Sequence, residues 1–256
     1  MKINVLVLTG YGINAEKELA YAFKMAGGNT DIIHLEDIIR NKKSLQKYQI
    51  IAFPGGFSFG DHIASGKVFA NIVKNNLLDD LINFINKDKL IIGICNGFQI
   101  ITKLGIVPDF ENNHNQVVSL IENDSGHFEN RWIWIKIEKN NSPWLFDINK
   151  LYLPVRHGEG KFVVKDSHVL NKLKNNRQIG MKYFNPNSKE IDYPYNPNGS
   201  IDNIAGIINK KGNILGLMPH PEAYIFKENH PRWIENHTNE EEIGLKIFIN
   251  GINYFK

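Results

Sequence analysis

The sequence predicts an α/β fold: a doubly wound, mostly parallel sheet flanked by helices, with a β-rich second half. Three observations predict it. Up to about residue 100, short apolar runs alternate with longer amphipathic stretches, the rhythm of βαβ units. The apolar run Leu90-Ile91-Ile92-Gly93-Ile94 leads straight into a glycine-framed turn and a further helical stretch. Beyond residue 115 the period shortens to two, as in Arg131-Trp132-Ile133-Trp134-Ile135-Lys136-Ile137.

Taken in order, Ile3 to Leu8 is a buried strand. Residues 15–26 place Leu19, Ala22, Phe23 and Ala26 at helical spacing, with Asn14 as N-cap and Gly27-Gly28 as the stop. A strand near Asp31 to Leu35 and another at Gln49 to Phe53 follow, then helical segments between Lys67 and Asn86, then the strand at Leu90 to Ile94. Parallel crossovers repeated in this way give a doubly wound sheet. In the second half, Asn203 to Ile208 and Ile214 to Met218 pair through the hairpin-type loop Asn209 to Asn213. Residues 185–200, rich in Pro and Asn, form a long irregular loop, which in a compact domain is more often functional than idle. The last helix is expected over Glu240 to Asn250. No linker composition interrupts the chain, so residues 1–256 are expected to form a single domain.

Composition narrows the function. With 256 residues, 42% hydrophobic and 22% charged, the chain can bury a core and is neither disordered nor fibrous. A net charge of +3 is too small a surplus to argue for a nucleic-acid or membrane partner. Cys95 stands alone and cannot form an internal disulfide, and no run approaches the roughly 20 apolar residues of a membrane helix. The opening apolar run is too short for a secretory signal. A cytoplasmic enzyme or binding protein is expected. The histidines are dispersed and His-Glu-x-x-His is absent, so no metal site is expected.

Gly93-Ile94-Cys95-Asn96-Gly97 is the most informative stretch. It follows an apolar strand and opens a helix carrying Phe98, Ile101 and Leu104, the geometry of a nucleophile elbow with Cys at its tip. Such a turn crowds the residues two positions either side, which explains glycine at both 93 and 97. The helix N-terminus and a nearby imidazole would favour the thiolate. A small buried core cysteine is the competing reading. A nucleophile needs a base and the base an orienting group. Pro219-His220-Pro221-Glu222 supplies both: in an extended segment residues two apart point the same way, so His220 and Glu222 face one site. Pro54-Gly55-Gly56-Phe57-Ser58 ends a strand where bare amides could hold an oxyanion, with the Asn96 amide as second donor. A phosphate loop fits less well, because Gly60 to Gly66 is one residue too long and Val68 follows Lys67. His157-Gly158-Glu159 reads as a substrate-facing loop.

With these residues in view, the chain resembles the class I glutamine amidotransferases, whose fold is flavodoxin-like. The branch it is most similar to comprises the glutaminase components of phosphoribosylformylglycinamidine synthase in purine biosynthesis. Gly55-Gly56-Phe57-Ser58-Phe59-Gly60-Asp61, Gly93 to Gln99, His157-Gly158-Glu159-Gly160, Tyr195-Asn196-Pro197-Asn198-Gly199-Ser200 and Gly216 to Glu222 carry the resemblance in order along most of the chain. It implies Cys95 as attacking thiolate, His220 as general base and acid, Glu222 as orienting carboxylate, and Gly55, Gly56, Asn96, Gln99, His157 and Gly158 around substrate L-glutamine. It implies no cofactor in this chain, ATP and Mg being used by a partner synthetase subunit that receives the ammonia, and a small third protein bridging the two. Ala223, where the family carries Arg, and the segment Gly12 to Lys17 depart from the pattern at surface or partner-facing positions. Other readings are another class I glutaminase, a γ-glutamyl hydrolase, or a non-catalytic redox-sensing module of the same fold.

Overall fold

In a computed structural model, residues 2–235 and 243–256 of the chain are described. The strands are β1 (Asn4–Thr9), β2 (Asn29–His34), β3 (Ile50–Phe53), β4 (Leu90–Ile94), β5 (Val118–Ile121), β6 (Glu129–Ile137), β7 (Lys150–His157), β8 (Lys161–Val164), β9 (Ile179–Tyr183), β10 (Ile204–Ile208) and β11 (Ile214–Leu217). The helices are α1 (Glu16–Met25), α2 (Leu35–Arg40), α3 (Lys67–Asn86), α4 (Asn96–Lys103), α5 (Ser167–Asn175) and α6 (Leu245–Asn253).

Nine strands form one sheet in the order β2-β1-β3-β4-β11-β10-β9-β6-β7, and β5 pairs with β8 in a small second sheet. The half from β2 to β11 is parallel. The half from β11 to β7 is antiparallel. Physical chemistry explains the division. β3, β4 and β11 are apolar at every position and buried throughout, as parallel strands covered on both faces must be. Along β6, buried and more exposed positions intermix, as in a strand with one face closer to solvent.

Two features position the site. β1 and β3 are neighbours while β2 lies outside β1, so the connections after β1 and β3 diverge from the carboxyl ends and open a crevice there. Ile13 and Gly56 close its floor with an antiparallel bridge between those two connections. The last strand, β11, is inserted between β4 and β10, which sets the segment after it beside the turn after β4.

Most sequence-predicted elements stand within a few residues of expectation, and the segments between Lys67 and Asn86 form one continuous helix. Gly27, at φ 92°, ends α1 with the Gly28 N–H bonded back to the Phe23 carbonyl at 2.9 Å. Asn14 is not the N-cap: Ala15 takes that position with no side-chain bond, because the Asn14 and Ala15 N–H groups both donate to the Gly55 carbonyl. The final helix begins at Leu245; the expected start at Glu240 lies outside the described residues. Among the described residues no helix is long and apolar enough to cross a membrane.

Candidate active site

Cys95 sits between β4 and α4 with φ 52° and ψ −107°, a conformation that strains any residue with a side chain and is found where surrounding structure forces it. The forcing contacts are visible. The Cys95 N–H donates to the Leu217 carbonyl at 2.8 Å, and its carbonyl accepts from the Gln99 N–H at 3.1 Å. A Cβ on Gly93 would lie 2.7 Å from the Gly97 carbonyl oxygen, and one on Gly97 would run into the Phe53 carbonyl. The elbow therefore closes only with glycine at both positions.

β11 delivers His220 to the same place, and the His220 N–H is held by the Pro154 carbonyl of β7 at 2.8 Å. The segment is not extended, as the spacing suggested. Pro221 opens a short 3₁₀ turn, Pro221–Ala223, for which its fixed φ is preset, and the turn folds Glu222 back onto the preceding ring. Glu222 Oε1 lies 2.6 Å from His220 Nδ1, both side chains buried. Burial by itself would push the His220 imidazole down, but the Glu222 carboxylate and Cys95 outweigh it and hold its pKa above the ordinary value. Among the described residues His220 Nε2 has no hydrogen-bond partner, and the Cys95 Sγ lies 3.6 Å from the Arg156 carbonyl oxygen.

Gly56, Cys95 and His220 line one cleft of about 290 Å³, with Glu18 and Arg156 also in its wall and Phe57 and Phe128 at the rim. Gly55 lies against both Cys95 and His220: a Cβ there would stand 2.9 Å from His220 Cε1 and 3.6 Å from Cys95 Cβ. Gly56, at φ 152°, approaches Ile13 so closely that a Cβ would lie 2.8 Å from the Ile13 Cα. Among the described residues neither the Gly56 N–H nor the Asn96 N–H, the first of α4, has an acceptor. Chemically, one small cleft thus holds a thiol and an oriented imidazole that can serve as nucleophile and base, with an unbonded backbone N–H at Gly56 in its wall and another at Asn96 next to Cys95.

Other expected site residues stand behind the cleft wall. The Asn96 side chain accepts from the Ser58 N–H at 3.2 Å and donates to Gln99 Oε1 at 2.8 Å, while Gln99 Nε2 donates to the Glu159 carbonyl at 2.7 Å. His157 does not present its ring to the cleft. It is 2% exposed, with Nδ1 donating to Asn123 Oδ1 at 3.1 Å and Nε2 accepting from Asn198 Nδ2 at 3.5 Å. Burial, with His220 nearby, pushes its pKa down to about 3, so it is a neutral strut. Gly158 lies near Phe128, which a Cβ there would approach to 4.0 Å. Sequence reasoning missed Arg156, Glu18 and Asn123. Asn123 Nδ2 donates to the His157 carbonyl at 2.8 Å and its Oδ1 accepts from the Gly160 N–H at 3.0 Å, a clamp that no spacing announces. No group of three or more His, Cys, Asp or Glu among the described residues is placed to hold a metal ion.

Comparison with known proteins gives the family of the chain. The family model described as the CobB/CobQ-like glutamine amidotransferase domain matches residues 2–255. The phosphoribosylformylglycinamidine synthase subunit PurQ of Methanococcus maripaludis is 44% identical over 266 residues, covering 98% of this chain and 97% of its own. The same subunit of Dehalococcoides mccartyi is 40% identical over 254 residues, covering 99% and 98%. Among solved structures, a chain of PurLQS from Thermotoga maritima superposes with a TM-score of 0.76 at 28% identity, with both chains covered in full, 100%.

Proposed function

The chain belongs to the CobB/CobQ-like glutamine amidotransferase domain family, and from that premise we propose that it is the glutaminase subunit of a phosphoribosylformylglycinamidine synthase in purine biosynthesis. It is a glutamine amidotransferase. The observation that carries the chemistry is Cys95 at a strained elbow in the same cleft as a His220 whose far nitrogen is held by Glu222 at 2.6 Å.

The Cys95 thiolate attacks the side-chain carbonyl carbon of L-glutamine, forming a C–S bond as the carbonyl electron pair moves onto oxygen. The Gly56 and Asn96 N–H groups donate to that oxyanion. Protonated His220 gives its Nε2 proton to the departing nitrogen, the C–N bond breaks, and ammonia leaves a thioester. Neutral His220 then takes a proton from water as the water oxygen attacks. Collapse breaks the C–S bond, releases glutamate and restores the thiolate beside the imidazolium. Glu222 orients the ring and favours its charged form. Gly55 leaves room at the reacting carbon, while Gln99, His157 and Gly158 hold the glutamine pocket.

The ammonia passes to a synthetase subunit, where formylglycinamide ribonucleotide is activated with ATP and Mg, and a small third subunit bridges the two in the cytoplasm. This chain needs no cofactor of its own. The test is reconstitution with that synthetase. Glutamine and ammonium salts should each support formylglycinamidine ribonucleotide synthesis, and Cys95→Ala should abolish the first while leaving the second nearly intact. Loss of both nitrogen sources in an assembled complex would show that Cys95 is not confined to glutaminase chemistry.

A further inference from the structure

The cleft holds an ion pair that the proposed chemistry does not use. Arg156 Nη2 lies 3.2 Å from Glu18 Oε2, joining the end of β7 to α1 across 138 positions of sequence. Both side chains line the cleft with Cys95 and His220, and they are partly exposed, at 35% and 50%. Apart from the reacting pair, they are the ionisable side chains among the described residues of that lining. Arg156 also keeps a donor in reserve, since among the described residues its Nε has no acceptor.

The substrate supplies the matching chemistry. Glutamine carries its reacting amide two methylenes from a carbon that bears an ammonium and a carboxylate. With the amide carbon at Cys95 Sγ, that carbon lies about 4 Å further out along the cleft. A guanidinium takes a carboxylate with two parallel N–H bonds, and a carboxylate takes an ammonium. An opposed pair with no net charge complements a zwitterion and discriminates against amides that lack either charge.

We infer that Arg156 and Glu18 determine substrate specificity, Arg156 binding the α-carboxylate and Glu18 the α-ammonium of glutamine. The inference rests on the glutaminase reading and goes beyond it by naming the side chains that select an amino acid over a simple amide. Their mutual bond holds both in place until the zwitterion enters, after which each donor and acceptor has a second partner.

The test uses the complex with its synthetase and two truncated probes as inhibitors of glutamine hydrolysis. 4-Aminobutanamide lacks the carboxylate, and glutaramate lacks the ammonium. Arg156→Met should raise KM for glutamine about tenfold or more, the worth of a charged hydrogen bond, with kcat nearly unchanged. It should weaken glutaramate to a similar degree and leave 4-aminobutanamide unchanged or tighter. Glu18→Gln should do the reverse, weakening 4-aminobutanamide and sparing glutaramate. Arg156→Lys, which keeps the charge and loses the fork, should fall between wild type and Arg156→Met. Equal effects of either variant on both probes, or an unchanged KM, would overturn the assignment. Should Arg156→Met fail to fold, the lysine variant and Glu18→Gln decide by the same probe comparison. A wild-type complex that releases no ammonia from glutamine would refute the glutaminase reading itself, and this assignment with it.

Discussion

The Cys95 thiol lies 3.6 Å from the carbonyl oxygen of Arg156, and two residues earlier on the same strand the Pro154 carbonyl holds the His220 N–H at 2.8 Å. The end of β7 thus touches both Cys95 and His220. In this arrangement the thiol is turned to a carbonyl and His220 Nε2 has no partner among the described residues.

Docking of the synthetase is therefore expected to complete the site. The isolated chain should hydrolyse glutamine slowly, and kcat should rise on adding the synthetase, its nucleotide and the ribonucleotide substrate. Bringing the Cys95 thiol onto His220 Nε2 engages the general base, a contribution typically worth about 10²–10⁴-fold in rate. Equal kcat for the isolated chain and the complex would remove the gating idea while leaving the triad standing.

Glu222 holds His220 Nδ1 at 2.6 Å, and in the proposed reaction His220 moves the protons while Glu222 only orients it, so their substitutions should differ in severity. Glu222→Gln should retain roughly 10²-fold more kcat than His220→Ala, in line with the unequal losses seen when orienting and proton-transferring groups are removed. Steady-state ammonia release by folded variants checks this, and equal losses would count against the roles given.

Gly97→Ala should damage the fold as well as the activity. The added methyl runs into the Phe53 carbonyl oxygen at the end of β3, a backbone atom that cannot rotate away. Overpacking of this kind costs about 1–3 kcal/mol or more, which urea titration measures. A variant of unchanged midpoint would mean that α4 tilts freely away from β3.

Acid stability should depend on His157. Its pKa falls from the ordinary 6.5 to about 3 in the folded chain, so folding favours the neutral ring. The contribution is complete above pH 6.5 and is lost as the pH falls toward 3, because only the unfolded chain binds the proton in that window. His220 is shifted upward, so its contribution is fully present below the ordinary imidazole range and adds no slope there. Unfolding free energies of wild type between about pH 6 and 4 should therefore fall by about 1.4 kcal/mol per pH unit more steeply than those of His157→Gln. Parallel curves would place the imidazole in contact with water.

Much of this was legible in the sequence because it is local. The continuous apolar runs of β3, β4 and β11 declare strands buried on both faces, and Gly93 and Gly97 declare an elbow because the clash they avoid lies within a turn. His220 and Glu222 pair across a single proline, so their partnership needed no knowledge of the rest of the fold. Asn14 looked like a helix cap for the same local reason, and failed because Gly55, 41 positions away, takes its N–H.

Only the tertiary structure decided the rest. The insertion of β11 between β4 and β10 brings His220 to Cys95, and nothing in either segment specifies which strands flank it. His157 lies in a motif that looked substrate-facing, yet two buried asparagines, Asn123 and Asn198, turn its ring inward. Arg156 and Glu18 meet across 138 positions of sequence. Helix and strand periods and turn sterics act over a few residues, whereas burial, the direction a loop side chain takes and the partner of a charge are set by whichever distant segment packs against it.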